Sequence, residues 1–361
     1  MITRPALRGE TWLTAEYPDL GASVPWLPLA HVPTPVEPCD AIADWLGRGG
    51  VWFKRDDLIS PVYGGNKVRR YEHVLAEAKA RGAEQLITAG GFGSTQVLAT
   101  ILLGRSLGFD VTAALFDQPA TRFARNAMLA GAAAGGELIH GGGYLMTAVR
   151  TAQAYRRAAR PYLILPGASN PMANLGYVDA MLELDQQVRR GELPRPDVIV
   201  VAAGSSGTMV GLSIGAALLG WPTTIIGVRI TDLVACNRAT VGVLIGATAR
   251  YLSKRSRGFA RDYRRDARFE LNHDVIGGGY GYPTPDAIEA VEQVQRLTGA
   301  PGEVTYTAKA LVALRSIVRE RPTSNVLYWH TLSSTRPATD ASAAERLSPA
   351  LRRHLQGDVP V

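Results

Sequence analysis

Residues 85–107 read QLITAGGFGSTQVLATILLGRSL. Gln85–Ala89 is short, apolar and bounded by glycine, which predicts a buried strand. The loop 90–96 follows, and from it an apolar helix runs to Leu107. The same unit recurs downstream. Strands are expected at Phe109–Phe116, Glu137–His140 and Tyr162–Leu165, with helices at Arg122–Ala133 and Tyr144–Ala159 between them. Strand and helix in alternation with short links predict a parallel sheet covered on both faces. Farther on come a helix at Asn174–Arg190, the strand Asp197–Ala202 and, after the loop 203–208, the helix Met209–Leu219. A strand at Thr224–Arg229 and a helix at Cys236–Leu252 follow. Phe269–Val275 is a further expected strand. Helices are expected from Thr284 to Leu297 and over Lys309–Arg319, then a last strand at Asn325–Trp329 and a tail helix at Ala343–Leu355. Upstream, Val51–Arg55 reads as a strand and Lys67–Arg81 as an amphipathic helix. The proline-rich first 50 residues read as an arm over a core, with a short helix near Ile42–Leu46.

The chain has 361 residues, 46% of them hydrophobic and 20% charged, which predicts two domains or one large α/β unit, with a large core in either case. The net charge of +7 is scattered apart from a basic stretch at Lys254–Arg265, which reads as a solvated face and not as a nucleic-acid site. The N-terminal ten residues contain no apolar core of a signal peptide, and no run of 18 uncharged apolar residues occurs. Cys39 and Cys236 lie far apart without metal spacing. A cytoplasmic protein that binds neither membrane nor nucleic acid is expected, with no metal site.

Ligands in an open parallel sheet bind beyond the carboxyl ends of the strands. Loops 90–96, 204–208 and 277–283 all follow strands, and His330-Thr331 ends one. Lys67 is one of only five lysines in the chain, and it stands at the glycine turn Gly64-Gly65-Asn66 that opens a helix. An amine near the positive end of a helix dipole loses its proton more easily and can attack an aldehyde. Gly204-Ser205-Ser206-Gly207-Thr208 offers backbone and hydroxyl donors at a helix start, a phosphate cup without the lysine of a triphosphate-hydrolysing loop. Gly93, Ser94, Thr95 and Gln96 form a similar nest suited to a carboxylate, and Ser94 can relay a proton. Asp56 and Asp57 read as a structural pair. Tyr280 and Tyr306 are phenols of unassigned role.

Several segments coincide in type and order with one family. They are FKRDD (53–57), GGNKVRR (64–70), GGFGSTQ (90–96), GASN (167–170) and GYVDAMLEL (176–184). AAGSSGTMVGL (202–212), GGGYGYP (277–283), YTAKAL (306–311) and HTLSS (330–334) complete the set. The chain resembles the fold type II pyridoxal-phosphate enzymes, whose architecture is like that of tryptophan synthase β. Within them it is most similar to the D-cysteine desulfhydrase and 1-aminocyclopropane-1-carboxylate deaminase group. The resemblance implies two domains: residues 1–60 with 174–361 holding the cofactor phosphate, and 61–173 forming a small mobile domain. It implies that Lys67 binds the cofactor covalently and then acts as base. Asn66, Arg70, Thr95, Gly204, Ser205, Ser206, Gly207, Thr208 and Thr331 would contact the cofactor. Gly93, Ser94, Thr95 and Gln96 would bind the substrate carboxylate, with Ser94, Tyr280 and Tyr306 as further catalytic groups. The implied activity is β-elimination from a small amino acid by a homodimer. β-Replacement or racemisation by the same chemistry, and a catalytically silent cofactor-binding homologue, are the alternatives. Thr95 stands where the family usually has asparagine. Thr307 occupies the position of a deaminase glutamate, as in the desulfhydrases, which speaks against cyclopropane ring opening.

Overall fold

The computed structural model describes residues 9–259 and 263–359. Part of the basic stretch, residues 260–262, and the first eight residues lie outside the described set. In chain order the elements begin with α1 (Trp12–Glu16), α2 (Pro18–Gly21), β1 (Val36–Pro38), α3 (Ala43–Leu46), β2 (Val51–Arg55) and α4 (Lys67–Ala80). Next come β3 (Gln85–Gly91), α5 (Thr95–Ser106), β4 (Asp110–Phe116), α6 (Arg122–Ala133), β5 (Glu137–Gly142), α7 (Tyr144–Arg157) and β6 (Pro161–Ile164). The chain continues through α8 (Pro171–Arg189), β7 (Val198–Ala203), α9 (Gly207–Leu218), β8 (Thr224–Arg229), α10 (Arg238–Ser253) and β9 (Phe269–Asn272). It ends with α11 (Pro285–Thr298), α12 (Thr307–Glu320), β10 (Val326–His330) and α13 (Pro349–Arg352).

The contacts divide the chain into two units, one of residues 1–73 with 169–334, the other of 74–168 with 335–361. This differs from the expected division: Lys67 belongs to the first unit, and the C-terminal tail to the second. The first unit holds a six-stranded sheet in the order β1-β2-β10-β7-β8-β9, parallel except where β1 runs antiparallel to β2. Every residue of β7 is buried, as a central strand covered on both faces requires. Val198, Val200 and Ala202 join Ile226, Val228 and Tyr328 in a core with Leu311, Leu314 and Ile317 of α12 and Ala290 and Val294 of α11. The opposite face meets α9, where a Cβ on Gly227 would stand 2.8 Å from Met209 Cε.

Beneath the apolar core lies a buried charged network. Arg69 donates to both oxygens of Asp56, at 2.8 and 3.0 Å, and to Glu183 at 2.7 Å. Lys54 donates to Glu183 at 2.5 Å, and Tyr177 and Trp329 complete Asp56 at 2.8 and 2.7 Å. Burial pushes the Glu183 carboxyl up, but the Arg69 and Lys54 charges outweigh it and hold it well below the usual carboxylate range. Asp57 pairs with Arg55 through two bonds of 2.8 Å. The aspartate pair is therefore structural.

The second unit holds a parallel four-stranded sheet, β5-β4-β3-β6. The tail departs from its expected single helix. A 3-10 turn at Ala341–Arg346 is followed by α13 and a second 3-10 turn at Arg353–Leu355. Ser348 caps α13 and Pro349 occupies its first position, so the helix starts afresh there. Arg125 fastens this tail by donating to the His354 and Gly357 carbonyls at 2.8 and 2.7 Å.

Candidate active site

The glycine turn before Lys67 is wedged between two carbonyl groups. A Cβ on Gly64 would overlap the Asp57 carbonyl, and one on Gly65 would overlap that of Thr331; Gly65 also has φ +86°. Asn66 N donates to Thr331 O at 3.1 Å, and Gly64 N to Ser333 Oγ at 2.7 Å. The strand end at 330–334 therefore serves as the seat of the lysine turn. Lys67 is buried, and its Nζ donates to Asn66 Oδ1 at 3.2 Å. Among the described residues no carboxylate pairs with it. Burial first, and the Arg70 guanidinium second, hold this amine well below the usual lysine value.

Asn66 also reaches the loop after β7, donating through Nδ2 to Thr208 Oγ1 at 3.1 Å. In that loop Ser206 has φ +62°, which turns the chain into α9 at Gly207. The first-turn N–H groups of α9 have no acceptor within the helix and gather at its positive end. A Cβ on Gly207 would overlap the Arg70 guanidinium and stand 2.6 Å from Ser169 Oγ. Arg70 donates to Ser169, and Ser169 Oγ lies 2.5 Å from Ser205 Oγ. Burial pulls the pKa of Arg70 down to about 10. A guanidinium, two hydroxyls and a helix N-terminus around one missing Cβ make a cradle suited to a phosphate.

Tyr280 and Tyr306 join through their hydroxyls at 2.7 Å, with rings edge-on at 83°. Each is positioned by a residue that sequence reading overlooked. Glu303 accepts from the N–H groups of Thr305, Tyr306 and Thr307 at 2.7, 2.6 and 2.9 Å, which fixes the start of α12. Lys309 Nζ donates to the carbonyls of Ile276 and Gly279 at 2.6 and 2.9 Å and so ties down the loop of Tyr280. Its pKa is pulled to about 8, by burial above all. Ser169 is the third overlooked residue. The motif at 167–170 was legible, but its contact with Ser205 bridges 36 residues.

In the second unit, Ser94 caps α5, its Oγ accepting from Val97 N at 3.4 Å. Gly93 N donates to Gln118 Oε1 at 3.1 Å. Thr95 is the first residue of α5. Gln96 is turned into the unit: Nε2 donates to Thr88 and Thr100 at 2.9 and 3.0 Å, while Oε1 accepts from Gly167 N. The Gln96 side chain is thus committed to its own fold.

Comparison with known proteins matches residues 27–331 to the family described as pyridoxal-phosphate dependent enzyme. The D-cysteine desulfhydrase of Salmonella paratyphi C (strain RKS4594) is 31% identical over 319 residues, 85% of this chain and 93% of its own. Among solved structures, an ACC deaminase homologue superposes with TM-score 0.75 at 26% identity, covering 91% of this chain and 98% of that one. A fungal L-serine ammonia-lyase from Rhizomucor miehei shares the fold at TM-score 0.59 and 17% identity, over 88% and 98% of the chains.

Proposed function

The chain belongs to the family of pyridoxal-phosphate dependent enzymes, and from that membership we propose that it is a lyase that removes the α-proton of a small amino acid and expels a β-substituent. The observation that carries this reading is the cradle at Gly207 beside the buried Lys67, which pairs with no carboxylate among the described residues, the two bridged by Asn66. The donor set fits a phosphate ester and an aldehyde: Arg70, Ser205, Ser206, Gly207 and Thr208 for the first, Lys67 for the second. Gly204 belongs to the same loop after β7, the Thr331 carbonyl accepts from Asn66 N, and Thr95 is assigned to the cofactor as well. When bound, pyridoxal phosphate supplies an electron sink for the pair left at the α-carbon.

The protein's own groups do the rest. Burial disfavours the charged form of Lys67, and its Nζ is the group assigned to accept the α-proton. Gly93, Ser94 and Thr95 bind the substrate carboxylate, Gln96 contributing only its backbone N–H, and Ser94 carries a proton at Oγ. The Tyr280–Tyr306 pair delivers a proton to the departing group, one phenol donating as the other supports it. From D-cysteine and one water the net products would be hydrogen sulfide, pyruvate and ammonia. A homodimer, which the family resemblance implies, belongs to this proposal, as does a reducing cytoplasm, which the free, buried Cys39 and Cys236 support.

The test is product analysis of the cofactor-loaded protein with D-cysteine, L-cysteine, D-serine and 1-aminocyclopropane-1-carboxylate, each with and without an added thiol. Keto acid and ammonia in equal amounts, whether or not thiol is present, are expected from one of the first three. A thioether formed only with thiol would replace elimination by β-replacement, and an inverted amino acid without keto acid would replace it by racemisation. No turnover of any of them would refute the lyase reading for small amino acids.

A further inference from the structure

Apart from the residues assigned to catalysis, the second unit brings together three side chains that sequence spacing keeps apart. Asp117 follows β4, His140 lies within β5, and His354 sits in the final 3-10 turn. In the parallel ladder His140 pairs with Leu115, two residues before Asp117. The Nε2 atoms of His140 and His354 converge on Asp117 Oδ1 at 2.8 and 2.9 Å. One ligand atom from each residue lies within 4.8 Å of the others. The His354 backbone is held by Arg125, and its ring stacks on Phe92 at 4.7 Å and 28°. Two imidazoles and one carboxylate, partly exposed and set on the loop after β4, on β5 and on the tail, are the donor set of a three-ligand transition-metal site with a position left for water.

We propose that Asp117, His140 and His354 bind one divalent transition-metal ion of the zinc class. Tetrahedral ligation asks for donor atoms roughly 3.3 Å apart, a small opening of the present contacts that side-chain rotation provides. Imidazole-rich ligation selects zinc, nickel or cobalt over magnesium and calcium. The Arg353 guanidinium, 3.4 Å from Asp117 Oδ2 and 3.3 Å from His140 Nε2, competes for the same groups and must turn outward. At 56% side-chain exposure it has room to do so. The bound ion joins the tail to β5 and to the loop after β4, and through the ring of His354 it braces Phe92, two residues before Ser94.

The test is zinc titration of the chelator-treated, cofactor-loaded full chain by calorimetry, with imidazole nitrogen shifts followed by NMR. One ion per chain is expected, moving the resonances of two of the six histidines, His140 and His354. The paired substitution His140→Ala/His354→Ala should weaken binding by more than about a hundredfold, the upper end for loss of a mere outer-shell partner. Arg353→Ala should tighten it. The NMR readout on the unaltered chain needs no variant to fold. Absence of zinc uptake, equal uptake by chain and double variant, or uptake that leaves both histidines unshifted overturns the proposal and leaves an ion-pair cluster that fastens the tail.

Discussion

Gly207 matters because it lacks a side chain. A methyl group there overlaps the Arg70 guanidinium and crowds Ser169 Oγ, so Gly207→Ala pushes apart the groups assigned to the phosphate. The loss of one charge-assisted hydrogen bond costs about 2 kcal/mol, roughly thirtyfold in affinity. Pyridoxal phosphate should therefore bind the variant about thirtyfold more weakly, while pyridoxal, which has no phosphate, loses little. Fluorescence titration of both compounds reads the difference. At this scale much was legible in the sequence, because glycine, lysine and serine at a strand-to-helix turn have few structural uses. The partners were not. Asn66 meets Thr208 across 142 residues, and Ser169 meets Ser205 across 36. Linear spacing holds no trace of such contacts.

Among the elements, those with a clear hydrophobic period stand where the sequence predicts them. α6 and β8 match their expected bounds, and β7, α9 and α11 differ by one or two residues. The expected strand from Phe269 stops at Asn272, where Asn272 turns to hold Asp274 N and Oδ2. The arm and the tail have no period to read. β1 was missed because Val36–Pro38 is only three residues long, and it pairs as an edge strand. The loop 277–283 has no regular structure and takes its shape from Lys309. Lys309→Met should free the carbonyls of Ile276 and Gly279, displace Tyr280 and lower kcat/KM by up to about a hundredfold, the effect of a 1 Å misplacement. The cofactor's absorbance and the midpoint of urea unfolding should change little, since neither depends on that loop.

Over the whole molecule, the buried charged network that carries stability is made of residues other than those assigned to the cofactor and substrate. The network of Lys54, Arg69, Asp56 and Glu183 lies in its core, and leaving one member unpaired costs about 3–5 kcal/mol. Glu183→Gln should lose that amount at neutral pH. The folded Glu183 titrates below its unfolded value near 4.3. Above that pH both states are ionised and its contribution is complete. As the pH falls further, the unfolded chain takes up the proton first and the contribution drains away. Urea melts should therefore show the native chain losing stability below about pH 4.3 more steeply than the variant. The alternation of strand and helix was enough to predict the two-unit α/β plan. The points of division were not predictable, because the cut falls inside α4 and the tail returns to the second unit through Arg125. The central claim is that Lys67 is the residue that holds the cofactor. Borohydride reduction of the cofactor-loaded protein, followed by peptide mapping, tests it most directly. The account predicts one pyridoxyl group per chain, on the peptide containing Lys67 and on none of the peptides containing Lys54, Lys79, Lys254 or Lys309. A label on another lysine, or no stable label, would contradict it.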